Sequence, residues 1–141
     1  MSDAVALARA CAEAMWRDDK ASQGLGMRLD HVGPGAATLS MEVRDTMVNG
    51  HGMCHGGYIF TLADSAFAFA CNTYGQRCVA QHCAVTYLLP AKLGERLSAS
   101  AVEVSRAGRS GIYDVTVTRA DGAAVAEFRG HSRVIEGRLV G

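Results

Sequence analysis

Apolar and polar residues alternate with two different periods along this chain, and the change of period divides it. Near the start, Val5, Ala8, Ala12 and Met15–Trp16 recur at helical spacing behind Ser2, whose hydroxyl can cap a helix, so residues 3–17 are predicted helical. A Gly-containing stretch follows. Leu25 to Val32 then reads as a strand closed by the turn Gly33-Pro34-Gly35. Leu39, Met41 and Val43 alternate with Thr38, Ser40 and Glu42, which is the two-residue period of a strand with one buried face.

Residues 45–57 break the pattern with a loop rich in Gly and His. The stretch from about Gly57 to Thr73 is too long and unbroken for a strand, and it is apolar on nearly every face, which predicts a buried helix. After it the period returns to two. Cys83, Val85, Tyr87 and Leu89 alternate with polar or small residues, as do Leu97, Ala99 and Ala101. The phase then slips to Val102 and Val104, which predicts a bulge. Tyr113, Val115 and Val117 form another strand. Asp121-Gly122 marks a hairpin turn, and Ala124, Ala126 and Phe128 face away from Glu127, Arg129 and His131. The order is helix, two strands, buried helix, four strands. Short connections between consecutive strands imply antiparallel neighbours. The economical packing is α+β, one long antiparallel sheet wrapped around one central helix.

Composition narrows the function. A chain of 141 residues predicts a single domain over 1–141 with a core that needs no staples. Formal net charge is zero, so the basic surplus of a nucleic-acid binder is missing. No apolar run approaches the roughly 20 residues that span a bilayer, and the N-terminus lacks the pattern of a secretory signal. The five cysteines, Cys11, Cys54, Cys71, Cys78 and Cys83, are odd in number and follow no zinc spacing. Free thiols in a reducing cytoplasm are the expectation.

Asp64 is the sharpest chemical signal, the only charged residue between Gly56 and Tyr74. Burying a carboxylate costs several kcal/mol unless it is paired, so its presence on an apolar helix points to use. The structural alternative is an Asp at a solvent-facing gap. Gly56 and Gly57 put backbone N–H groups at the helix N-terminus, where partial positive charge can hold a developing oxyanion; paired glycines also serve simply to turn the chain. Eight residues separate Gly56 from Asp64, about 12 Å along a helix axis. One carbonyl cannot touch both, so a shared reaction requires two chains related by a two-fold axis.

His55 and Asn49 precede the helix and can bond a carbonyl oxygen or orient water. His51, Cys54 and His55 match no common metal site, and sequence neighbours such as Cys54 and His55 seldom face each other productively. Lys92, Arg106 and Arg109 sit in predicted turns suited to phosphate, or simply to solvent.

Asn49-Gly50-His51, Cys54-His55-Gly56-Gly57, Phe60, Leu62-Ala63-Asp64 and Ala70-Cys71-Asn72 together resemble the phenylacetic acid degradation thioesterases of the hotdog superfamily. Pro90, Gly108-Arg109, Tyr113-Asp114-Val115 and Phe128-Arg129-Gly130 fit as well, so the resemblance covers nearly the whole chain. It implies the hotdog fold and hydrolysis of acyl-CoA thioesters, phenylacetyl-CoA and ring-hydroxylated relatives above all. Coenzyme A would enter as part of the substrate, with no cofactor and no metal. It implies Asp64 as nucleophile or general base, Gly56 as donor to the thioester carbonyl, Asn49 as holder of water or carboxylate, and His55 as support for the loop. Gly57, Lys92, Arg106 and Arg109 are candidates for holding the substrate and its coenzyme A portion.

The resemblance also implies a homodimer as the minimal active unit and a homotetramer built from two of them. Other branches place Thr or Ser one turn after the acid; here that residue is Ala68, which leaves Ser65 or Thr61 for hydroxyl assistance. The rival readings are a hydratase or dehydratase of the same fold, using His55 with Asp64, and a non-catalytic acyl-CoA-binding module.

Overall fold

The computed structural model describes residues 2–141. Helix α1 (Asp3–Asp18) starts where predicted, because the Ser2 hydroxyl accepts the Val5 N–H at 3.2 Å. A second, short helix, α2 (Lys20–Gly24), occupies part of the stretch read as a connection, and β1 (Arg28–Gly33) begins three residues later than expected. Asp19 supplies the missed start signal: its carboxylate accepts the Ser22 N–H at 3.0 Å. Gly26, at φ +72°, follows the end of α2.

Strand β2 (Ala36–Glu42) leads through a single 3-10 turn and the Gly-rich loop into α3 (Gly56–Cys71). Strands β3 (Gln76–Tyr87), β4 (Arg96–Ala107), β5 (Ser110–Thr118) and β6 (Ala124–Arg138) complete one antiparallel sheet of order β1-β2-β4-β5-β6-β3. The expectation that consecutive strands are neighbours holds for β1–β2, β4–β5 and β5–β6 but fails at β3. That strand lies at the far edge, paired along its length with β6. The reason is the connection over residues 88–95, which is too long for a tight turn and carries the chain across the sheet.

Helix α3 packs chiefly on β2, β4 and β5, so Leu62, Ala63, Ala66, Phe67, Phe69 and Ala70 are buried with Leu39, Met41, Leu97, Val115, Val117 and Phe128. Sheet and helix meet closely over β6: a Cβ at Gly130 would lie 2.8 Å from the Phe67 ring. Burial of a ring such as Phe67 contributes about 1.5–3 kcal/mol.

Two details depart from the sequence pattern. The β4–β5 register shifts between Glu103 and Ser105, which puts the expected bulge at Val104. The inward phase of Leu97, Ala99 and Ala101 does not slip onto the valines; Val102 and Val104 stay on the outer face, 54% and 51% exposed. Helix α3 is also not buried all round. Gly57, Thr61, Asp64 and Ala68, spaced three and four residues apart, form a stripe that the chain leaves partly open. Among the described residues, no helix is long and apolar enough to cross a membrane.

Candidate active site

The loop before α3 is tied down mostly by its backbone. His55 N–H donates to Met47 O at 2.7 Å and Cys54 N–H to Ala91 O at 2.8 Å. Asn49 closes the tip, its side-chain Oδ1 accepting from His51 N at 2.9 Å and Met53 N at 3.2 Å. That leaves the Asn49 amide nitrogen, a donor, without a bond among the described residues. His55 is the N-cap of α3, its Nδ1 accepting the Gly57 N–H at 2.9 Å. Acceptance at Nδ1 requires a neutral imidazole with its proton on Nε2.

These bonds consume the N–H groups around the helix start selectively. Gly57 N–H goes to His55 Nδ1, and Tyr58 N–H goes to His55 O at 3.0 Å. Gly56 N–H has no acceptor among the described residues. It therefore points the positive end of α3 at whatever lies beyond. Tyr87 lies over this residue and donates its hydroxyl to Gly56 O at 2.9 Å. A Cβ at Gly56 would meet the Tyr87 ring at 2.9 Å, so glycine lets the ring sit against the backbone.

Asp64 stands mid-helix on the open stripe. The four ion pairs among the described residues use Glu103, Glu95, Asp121 and Asp114, so no cation offsets it. Burial alone raises its carboxyl above the ordinary carboxylate range. Its charge also reaches Cys71 and Cys83, pushing both thiols up, in Cys71 as the weakest of several causes and in Cys83 after burial.

The other candidates divide between the two ends of α3. Asn49, His55, Gly56 and Gly57 gather at its N-terminus, and Lys92 follows Ala91, the residue that holds Cys54. Arg106 lies at the C-terminal end, stacked 3.6 Å over the centre of the Tyr74 ring and 3.6 Å from Glu103. Arg109 is exposed in the adjoining β4–β5 turn. A helix of 16 residues separates the two groups by about 24 Å. Ser65 is held by Ser22 at 2.8 Å, which in turn bonds Asp19 at 2.7 Å, and Thr61 donates to Gly57 O at 2.8 Å. Cys54 is buried, its Sγ turned to His55 O, and burial raises its thiol.

The sequence reading assigned Tyr87 only to a strand face, without a role at the site. It walls a hollow of about 460 Å³ beside Gly56, lined also by Met53, Ile59, Leu88, Leu89 and Pro90. The available signal was an aromatic at the end of a strand with apolar Leu88-Leu89 behind it.

Comparison with known proteins agrees with this geometry. Residues 51–126, more than half the chain, match the family model described as the thioesterase superfamily. The chain is 38% identical over 130 residues to "Acyl-coenzyme A thioesterase PaaI" of Escherichia coli K12, covering 92% of this chain and 93% of that one. It superposes with a TM-score of 0.93 and 37% identity on the solved structure of the E. coli PaaI protein from the phenylacetic acid degradation operon, covering 95% and 97% of the two chains. A Streptococcus mutans protein solved with acetyl CoA bound matches with a TM-score of 0.76 and 29% identity, over 79% of this chain and 90% of that one. With its helix-wrapping antiparallel sheet and these relatives, the chain belongs to the thioesterase superfamily, hotdog-fold thioester hydrolases, and within it to the phenylacetic acid degradation branch.

Proposed function

We propose that the protein hydrolyses aryl-acyl-CoA thioesters, phenylacetyl-CoA and its ring-hydroxylated relatives, in the breakdown of aromatic acids. The observation that carries this reading is the apolar hollow opening beside the free Gly56 N–H, with the Tyr87 ring as its wall. Its volume falls among small-molecule sites, and an aromatic acyl group can pack against an aromatic wall. The names of the E. coli relative and the acetyl CoA in the Streptococcus mutans protein support coenzyme A as the thiol part.

In this reading the thioester carbonyl accepts from Gly56 N–H, and the helix terminus stabilises the oxyanion. Asp64 either attacks the carbonyl or takes a proton from the attacking water. The C–S bond breaks, the thiolate of coenzyme A leaves and is protonated, and the free acid departs. Asn49 Nδ2 holds the water in this reading, and His55 positions the glycines. Gly57 shapes the same turn, while Lys92, Arg106 and Arg109 offer charge to the phosphates. The test is a kinetic survey of aryl and alkyl acyl-CoA substrates on wild type and Tyr87→Ala. Aryl substrates are expected to be preferred, and Tyr87→Ala to raise their KM more than that of short alkyl esters. An equal loss on both classes would remove the aryl reading.

The site requires a second copy, because Gly56 and Asp64 of one chain are about 12 Å apart. The open stripe on α3 and the unpaired edge of β3 are the surfaces such a copy would cover. The outer-face valines Val102 and Val104 suit the contact between two such dimers. Two inactive variants should therefore rescue each other. In a refolded equal mixture of Asp64→Ala and Asn49→Ala, about half the dimers are mixed, each with one of two sites intact, so activity should recover to about a quarter of wild type. With exchange confirmed by mass-tagged chains, activity that stays at the level of the separate variants would refute the shared site.

A further inference from the structure

The C-terminal end of α3 and the start of β3 enclose a second hollow, remote from Gly56. Its volume is about 20 Å³, and its walls include Cys71, Tyr74, Cys78, Arg106, Tyr113 and Ser132. That is room for one molecule the size of water or hydrogen peroxide. Two thiols meet on it. Cys71, the last residue of α3, is buried, whereas Cys78 near the start of β3 is partly accessible.

Asn72 clamps the pair. Its amide lies 3.6 Å from Cys71 Sγ, and its side chain accepts the Cys78 N–H at 2.8 Å and donates to Cys78 O at 3.1 Å. With both thiols neutral, the Cys71 S–H is turned to Ala68 O at 3.5 Å. Both cysteines line this one small hollow, which keeps their side chains close together. The β3–β6 register shifts between Gln76 and Cys78, next to this pair.

We propose that Cys78 and Cys71 form a hydroperoxide-reactive dithiol, with Cys78 as the attacking thiolate and Cys71 as the resolving thiol. The two surroundings are unequal in the way such a pair needs. A hydrogen bond from Cys71 pulls the Cys78 thiol below its ordinary range and outweighs burial, and the Arg106 guanidinium helps. The same bond, with burial second, pushes Cys71 far up. Thiolate character and access decide which cysteine oxidises first. Among cysteines expected to stay reduced, a close pair of this kind is a reversible redox site.

The chemistry balances. Cys78 thiolate attacks one oxygen of hydrogen peroxide, the O–O bond breaks, and hydroxide leaves, giving the sulfenic acid. Cys71 sulfur then attacks Cys78 sulfur. Water departs with the sulfenic oxygen and the Cys71 proton, and the hydroxide takes up the proton Cys78 lost at ionisation. Overall, two thiols lose two electrons to one peroxide, which becomes two waters.

The experiment treats the reduced protein with one equivalent of hydrogen peroxide, then alkylates, digests and weighs the peptides. A Cys71–Cys78 disulfide that dithiothreitol reverses is expected, forming at least about tenfold faster than any oxidation of Cys83. In Cys71→Ser, dimedone should label Cys78 instead. Since a buried serine can impair folding, the wild type is also alkylated with iodoacetamide at graded pH. Cys78 should react at lower pH than the other four cysteines. First oxidation at another cysteine, a persistent Cys78 sulfenic acid in the wild type, or equal alkylation of Cys78 and Cys83 would each overturn the assignment.

Discussion

Replacing Asp64 with Ala or Asn is expected to lower kcat for acyl-CoA hydrolysis at least about 100-fold, a loss of the size that follows removal of a nucleophile or base. The motive is a carboxylate with no ion-pair partner among the described residues, held on the open stripe of an otherwise apolar helix. The pH profile gives a second readout. Catalysis needs the ionised form, and burial raises this carboxyl, so wild-type activity should rise with pH along a limb above the ordinary carboxylate value of 3.8.

Stability should move the other way. The folded chain holds the Asp64 proton where the unfolded chain has lost it, so stability falls as pH rises from the ordinary value through the raised one. Asp64→Asn escapes that loss and is expected to unfold no earlier than wild type at neutral pH. Thermal unfolding of both proteins checks this. An inactive Asn variant that is also clearly less stable would make Asp64 a structural group; a variant of near-normal turnover would remove it from catalysis altogether.

Gly56→Pro is expected to lose about 100-fold more kcat than Gly56→Ala, because only proline deletes the N–H proposed to bind the oxyanion. Both substitutions add a Cβ against the Tyr87 ring, so that clash is common to the pair and cancels in the comparison. Proline is compatible with the first position of a helix, where the N–H has no intrahelical partner. His55, at φ −61° and ψ 135°, already has the extended backbone that precedes a proline. Equal kcat values for the two variants, with circular dichroism unchanged, would show that Gly56 serves only to accommodate Tyr87.

Asp64 was legible in the sequence because one charge in a long apolar run breaks a local pattern, and local patterns need no fold to be read. The same holds for the Ser2 cap, the Gly-rich loop, the helix after it and the two-residue alternation of Val115 and Val117, since each depends on residues within a few positions. The eight-residue spacing of Gly56 and Asp64 was likewise legible, and because helix rise is fixed it carries the proposal that one reaction using both groups draws them from two chains. Register and strand order were not legible. Pairing of β3 with β6 joins Tyr87 to Ala126 across the sheet, a choice made by total burial and ladder length and not by any short motif.

The outward turn of Val102 and Val104 was missed for a related reason: apolar residues after Ala101 suggested a slip of phase, whereas the strand keeps its alternation and both valines stay on the outer face. The site followed the same division. The place of the paired glycines at a helix start made Gly56 a candidate and the resemblance supplied its role, but only the folded chain decided that His55 Nδ1 takes the Gly57 N–H, that Tyr87 covers Gly56, and that Gly56 N–H remains open among the described residues. It also decided that Arg106 is occupied by Tyr74 and Glu103 at the opposite end of α3. Side-chain hydrogen bonds across 31 positions, as between Tyr87 and Gly56, leave no periodic trace in a sequence, because their geometry exists only after the sheet has closed around the helix.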